Sequence, residues 1–349
     1  MVAASVAGLG TAVPEAKRSQ AELWDAFFSE HYEGNAVAEK LWQRSGIETR
    51  HAVADPLTDD VRALGTEARM RRFMEAAMPL GRKAIERSLD DAGLTPADVG
   101  LLTVVSCTGY ATPGLDILLA RDLGMSDAVQ RLHVGHMGCY AAVPGLATVS
   151  DATVARGKVA VMLCMELTSL HVQPPDMEVE QMVAHALFSD AAAATVVVPD
   201  AAGLEVVDVV ARTDADNAAL MTWDVTDQGF RMGLSPLIPD VLERHVEGVM
   251  DELLSRHGVA VGDVAGWAVH PGGPRILDVI SERLGLADDA LDEARSTLRD
   301  YGNCSSATVV LVLQRILAER EIADGQHVVF MAFGPGLTLY AALLRKRAG

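Results

Sequence analysis

Cys139 stands in Leu132-His-Val-Gly-His-Met-Gly-Cys139-Tyr-Ala-Ala, where a β-rich apolar stretch gives way to an alanine-rich helical pattern. A cysteine at a strand-to-helix turn faces unpaired backbone N–H groups and the positive end of the helix dipole. Both favour the thiolate, which is the nucleophilic form. Two later segments supply complementary groups: Val269-His270-Pro-Gly-Gly-Pro and Tyr301-Gly-Asn303-Cys-Ser-Ser. A nucleophile, an imidazole and a carboxamide, each beside glycine and at the end of an apolar run, point to covalent acyl chemistry. Taken singly they have plainer uses, because a lone cysteine usually packs in a core and an asparagine often caps a helix.

The elements that would position these groups alternate between strand and helix, the pattern of an α/β fold. Residues 19–32 read as one capped helix, and residues 66–92 as another with Thr66 as cap and Gly93 as stop. Short buried strands are expected at Leu101–Ser106, Lys158–Cys164 and Ala192–Val198, and a further set opens at Leu204. The second half echoes the first. Gly93 to Asp98-Val99 matches Gly258 to Asp263-Val264, Gly138-Cys139 matches Gly302-Asn303, and Arg156-Gly157 matches Asp324-Gly325. The offsets all lie near about 165 residues, so the spacing predicts a duplication, with halves at 1–203 and 204–349. Packed about a pseudo-twofold axis, such halves bring the helix starts at Cys139 and Asn303 face to face, and residues distant in sequence into one pocket.

Composition narrows the function classes. The chain has 349 residues and is 50% hydrophobic, enough for a large core. Lys plus Arg is 29 and Asp plus Glu is 48, a net charge of −19 that argues against nucleic acid as a partner. Cysteines at 107, 139, 164 and 304 show neither CxxC nor zinc-ligand spacing, which suits a reducing cytoplasm. Cys164 and Cys304 read as core residues, and His133, His136 and His185 as structural. The N-terminus has no basic leader. No uncharged apolar run reaches about 18 residues, so no membrane span is expected.

Gly138-Cys139, His270-Pro-Gly-Gly-Pro, Tyr301-Gly-Asn303-Cys-Ser-Ser-Ala and Phe333-Gly-Pro-Gly-Leu-Thr together resemble the type III polyketide synthases, the chalcone and stilbene synthase superfamily. The resemblance runs over nearly the whole chain, in order. It implies the duplicated thiolase fold, a five-layered αβαβα sandwich, and a homodimer. It also implies an enzyme that needs no cofactor beyond its coenzyme A thioester substrates, an acyl-CoA starter and malonyl-CoA. Cys139 would carry the acyl group, with His270 as a cation beside the thiolate. His270 and Asn303 would hold the malonyl thioester oxygen while decarboxylation leaves an enolate, which donors placed in advance stabilise.

By the same resemblance, Phe188 and Met232 stand at the two gate positions between the coenzyme A tunnel and the cavity. Cys107, Thr108, Thr112, His171, Trp223 and Ser305 fall on cavity-lining positions, and Lys40, Arg44 and Arg50 on the region that meets the coenzyme A phosphates. Bulky Trp223 and His171, where relatives carry small residues, would shrink the cavity, favouring few extensions or a rerouted tunnel. Ala142-Val143 replaces the Gly-Gly common after the cysteine, and Ser189-Asp190-Ala191 replaces Gly-Asp-Gly, so repacked backbones are expected there. Two other readings compete. A ketoacyl-ACP synthase III shares Cys-His-Asn, but its usual His-Gln-Ala-Asn and Gly-Asn-Thr-Ser strings are missing. A catalytically silent thiolase-fold partner would have no need of all three groups.

Overall fold

The structure, a computed structural model, describes residues 2–348. Strand β1 (Ala4–Ala12) is followed by β2 (Lys17–Ser19), which pairs antiparallel with β3 (Thr49–His51). Between β2 and β3 come α1 (Gln20–Leu23), a π turn over Trp24–Phe28, α2 (Ser29–His31) and α3 (Ala36–Gln43). The single helix expected over 19–32 is thus interrupted. Ser19 caps it as read, accepting Glu22 N–H at 3.1 Å. The widened turn sets Trp24 and Phe28 against Trp42, at 5.8 and 4.4 Å between ring centroids.

The chain continues as α4 (Thr66–Ala92), β4 (Val99–Val105), α5 (Leu115–Asp122), β5 (Gln130–Val134), α6 (Ala142–Arg156), β6 (Val159–Leu167), α7 (Val179–Leu187) and β7 (Asp190–Pro199). Then follow β8 (Gly203–Thr213), a hairpin of β9 (Met221–Thr226) and β10 (Gly229–Leu234), α8 (Ile238–Ser255), β11 (Val264–Val269), α9 (Pro274–Leu284), α10 (Asp292–Tyr301), α11 (Ser306–Glu319), β12 (His327–Gly334) and β13 (Thr338–Arg347). Helix α4 stops at Gly93 as expected, but Gly65 rather than Thr66 occupies its cap position. The Thr66 hydroxyl serves the hairpin instead, donating to Thr226 O and accepting Gly229 N–H at 2.8 Å. No helix among the described residues is long and apolar enough to cross a membrane.

The strand order is β11-β12-β13-β8-β1-β7-β6-β4-β5. Its two sides repeat one plan. β1-β7 and β8-β13 pair antiparallel, β7-β6 and β13-β12 antiparallel, and β6-β4 and β12-β11 parallel. Within the sheet the two sides join where Ser5 and Val6 pair with Glu205 and Leu204. Each repeat also starts its parallel strand from the same cap, with Asp98 accepting Thr95 N–H at 2.8 Å and Asp263 accepting Ala260 N–H at 3.2 Å. Helices α4 and α5 cover one outer face, and α8 and α9 the other. α6 and α11 lie between the two half-sheets and touch both. The result is the expected αβαβα sandwich. The middle position explains the composition of α11, whose residues from Ser306 to Leu313 are all buried. A helix walled in on every side has no use for a polar face.

Burial sets the pH response of the fold. It holds His31 and His171 down at pKa values of about 4, His270 at about 3, and His185 well below its ordinary value. Each titrates near 6.5 once unfolded, so this stability is full above pH 6.5 and is lost as pH falls. Two desolvated carboxyls act in the opposite sense. Glu166 is raised from 4.5 to about 7 and Asp190 from 3.8 to about 6, so each favours the folded state as pH falls through its folded value. Between about pH 6 and 4.5 the unfolded chain takes up four histidine protons against two carboxyl protons in the folded chain. The histidines outnumber the opposing carboxyls, so acid destabilises the fold on balance. Urea midpoints measured against pH are expected to fall steadily below about 6.5. A flat profile down to pH 5 would show that these histidines accept protons in the folded state.

Candidate active site

Cys139 follows β5 in a single 3₁₀ turn, Gly138–Tyr140, that feeds α6. Gly138 has φ +71°, and a Cβ there would lie 2.8 Å from Pro335 Cδ, so the elbow admits only glycine. His270 directly follows β11, and its N–H donates to Met331 O on β12 at 2.8 Å. Asn303 follows α10 through Gly302 and forms a bridge with Phe188. Its N–H donates to Leu187 O and its carbonyl accepts Ser189 N–H, both at 2.9 Å. Asn303 Oδ1 accepts Ser305 N–H at 2.9 Å, which holds Ser305 at φ 49°. That bond assigns the amide orientation. Nδ2 keeps only a 3.5 Å contact to Gly272 O and is the donor left for the cavity.

Cys139, His270 and Asn303 line one cavity of about 600 Å³. Phe188 and Met232 line it too. Both also border a small inner chamber of about 20 Å³, shared with Cys107, Thr108, Cys139, Trp223 and Ser305. Both further border a side cavity of about 70 Å³ that reaches His171 and Arg18. The two expected gate residues therefore stand where three spaces meet. Each is pinned by its backbone carbonyl, Phe188 O by Arg50 Nη1 at 2.9 Å and Met232 O by Gln181 Nε2 at 2.5 Å. Trp223, with Thr168, Phe188 and Met232, borders both chamber and side cavity, and its indole N–H donates to Cys107 O at 2.7 Å.

The electrostatics differ from the helix-start expectation. Burial pushes the Cys139 thiol up to about 12, with the Ser305 hydroxyl pulling back and the Glu166 charge pushing further. Burial alone takes His270 down to about 3. Either charge on its own is costly in this dry site, whereas opposite charges formed together attract strongly at low dielectric. As the site stands, burial holds both groups toward their neutral forms.

Other expected residues divide. Arg44 lies at the mouth of the large cavity and Lys40 is exposed one helical turn before it. Arg50 does not belong with them. Its guanidinium is mostly buried, donates to His185 O at 2.6 Å, lies with its centre 4.7 Å from the Trp42 ring, and borders the small side cavity rather than the mouth of the large one. Thr112 is exposed in a separate depression beside Tyr110 and Asp116. The loop turns outward after Thr108 because Gly109 packs flat on Phe73. His171 faces the side cavity, not the chamber. It accepts Phe230 N–H on Nδ1 at 2.9 Å and donates from Nε2 to Thr108 O at 2.7 Å, and is fully spent as a strut. Ser189 Oγ accepts His51 N–H and donates to His51 O, both at 3.0 Å.

Two residues were missed. Arg275 stands at the cavity mouth, one residue beyond the His-Pro-Gly-Gly-Pro string. Glu166 lies under the chamber, accepting from Ser306 Oγ at 2.6 Å, Thr108 Oγ1 at 2.8 Å and Cys107 N–H at 3.2 Å. Its signal was a lone carboxylate in an otherwise apolar, buried strand, β6. Among the described residues no group of three or more His, Cys, Asp or Glu side chains is placed to hold a metal.

Comparison with known proteins agrees with this arrangement. The family model for chalcone and stilbene synthases matches with its N-terminal domain at residues 2–201 and its C-terminal domain at 210–347. The chain is 34% identical to a 1,3,6,8-tetrahydroxynaphthalene synthase of Streptomyces peucetius subsp. caesius, over 98% of this chain and 93% of that one. It is 33% identical to a 3,5-dihydroxyphenylacetyl-CoA synthase of Amycolatopsis orientalis, over 97% and 92%. The crystal structure of the tetrahydroxynaphthalene synthase of Streptomyces coelicolor A3(2) superposes with a TM-score of 0.93 at 28% identity, covering 99% of this chain and 100% of that one. The chain therefore belongs to the chalcone and stilbene synthase family, the acyltransferases known as type III polyketide synthases.

Proposed function

We propose that the chain extends an acyl-CoA starter with malonyl-CoA units on Cys139 and cyclises the product. The observation that carries this reading is the convergence of Cys139, His270 and Asn303, from three separate elements, on one cavity. Cys139 Sγ attacks the starter carbonyl as His270 takes the thiol proton. Coenzyme A leaves and carries that proton away as its own thiol. Malonyl-CoA then binds in its place. Its carbon–carboxylate bond breaks, carbon dioxide departs, and the electron pair moves into an enolate whose oxygen lies against Asn303 Nδ2 and His270. The enolate carbon attacks the Cys139 thioester, a carbon–carbon bond forms, and the Cys139 thiolate leaves, paired with His270. Transfer of the longer chain back to Cys139 starts the next round.

The supporting roles follow from placement. Lys40, Arg44 and Arg275 meet the coenzyme A phosphates at the mouth. Phe188 and Met232 gate the chamber, and Cys107, Thr108, Trp223 and Ser305 shape it. No cofactor beyond coenzyme A thioesters is required. The chain works as a cytoplasmic homodimer of repeats spanning 1–203 and 204–349. Its partner copy is read against the free edge of β5, next to exposed Tyr110 and Leu132.

Labelled malonyl-CoA with a panel of acyl-CoA starters, followed by mass spectrometry, tests the activity. Extended, cyclised product is expected, and none from Cys139→Ala. Asn303→Ala should slow malonyl-CoA decarboxylation by roughly 100-fold, the cost of one lost oxyanion donor. An undiminished rate would remove Asn303 from the oxyanion site. His270→Ala should slow iodoacetamide alkylation of Cys139 at about pH 7 by at least about ten-fold, with the pH midpoint moved upward. A midpoint left in place would mean that the helix start alone stabilises the thiolate. Trp223→Gly should join the chamber to the side cavity and yield products longer by two or more carbons. Unchanged product masses would show that another wall limits the chain.

A further inference from the structure

We propose that Arg50 is a positioning residue for decarboxylation, setting Asn303 and Phe188 through the Leu187–Ser189 segment. This rests on the function proposed above. Arg50 is only 7% exposed, on β3, and its guanidinium sits between two parts of the site. On one side Nη1 donates to His185 O at 2.6 Å and Phe188 O at 2.9 Å, at the C-terminal end of α7. That end carries the negative pole of the helix, which suits a cation. On the other side its stem packs against Gly302, where a Cβ would lie 3.1 Å from Arg50 Cγ. Gly302 and Phe188 flank the two backbone bonds that hold Asn303.

Arg50 is costly to keep. Desolvation lowers its pKa to about 9, and its Nε is buried without a partner. Asp190, the acid that acts on it, spends its carboxylate on Val53 N–H, Ser169 N–H and Ser169 Oγ at 2.8, 2.8 and 2.5 Å. A group held only for packing would not need a charge, but this one fills two carbonyls whose loss would free the Phe188–Asn303 bridge. A misplacement of about 1 Å in a donor costs on the order of 100-fold in rate.

The test compares Arg50→Met and Arg50→Lys with the wild type in the full chain. Three quantities are read: kcat and KM for malonyl-CoA decarboxylation, and the rate of Cys139 alkylation. Arg50→Met is expected to lower kcat at least about ten-fold while KM and alkylation stay within about two-fold, and Arg50→Lys to regain part of kcat. In an Asn303→Ala background, Arg50→Met should add less than about two-fold, because the two residues act as one unit. A large KM increase at constant kcat would make Arg50 a phosphate ligand and overturn the assignment. So would an equal loss with and without Asn303, a parallel loss of alkylation, or no change. If Arg50→Met does not fold, Arg50→Lys decides on the same readouts, alone and in the Asn303→Ala background. A wild-type chain unable to decarboxylate malonyl-CoA overturns the proposed function and this assignment together. An active wild type beside an unaffected variant overturns this assignment alone.

Discussion

Two helices sandwiched between the half-sheets hold this molecule together. α6 and α11 each pack against both half-sheets, and their first turns deliver Cys139 and Asn303. Because each helix is clamped from both faces, its start cannot shift without opening a sheet. The third group, His270, leaves the end of β11 in the same plane, tied to β12 by its own N–H. Functional groups at the carboxyl ends of parallel strands and at helix starts are a general solution in α/β proteins. Here duplication supplies that solution twice, and the two copies face each other.

Depth has an electrical price in this site. The same enclosure that fixes the geometry pushes the Cys139 thiol and the His270 imidazole toward neutrality. The local dipole at a helix start is a weak influence against removal from water. Neither group has a charged partner that offsets this: His270 feels only its burial, and the Glu166 charge pushes Cys139 further the same way. Asn303 avoids the problem by being neutral. Its Oδ1 is committed to Ser305 N–H, so the donor it offers is oriented before any substrate arrives.

Much of this was legible in the chain. Strand and helix positions followed from apolar periodicity, the repeat from matching Gly–Asp–Val and glycine–helix signals, and the three groups that share the large cavity from their glycine-flanked strings. Other features were hidden because they depend on tertiary neighbours. Thr66 looks like a cap but is recruited by a hairpin more than 150 residues away, through its bond with Thr226 O and the 2.8 Å bond from Gly229 N–H. Arg50 shares a basic stretch with Lys40 and Arg44, and only the packing of Trp42 and α7 turns it inward. Thr112 sits near Cys107 in sequence, yet Phe73 steers the loop away. Glu166 was visible as a charge in an apolar strand, although its partners come from two other segments.

The hairpin of β9 and β10 stands outside the repeated plan, forming its own two-stranded sheet. It carries Trp223 and Met232, whereas Cys139, His270 and Asn303 belong to the duplicated body. Part of the pocket wall therefore lies on a segment separate from Cys139, His270 and Asn303. Substitutions on this appendage can redraw the mould in which a polyketide is cast while the machinery that joins its carbons stays as it was, and a lineage built this way can diversify its products at small mechanistic risk.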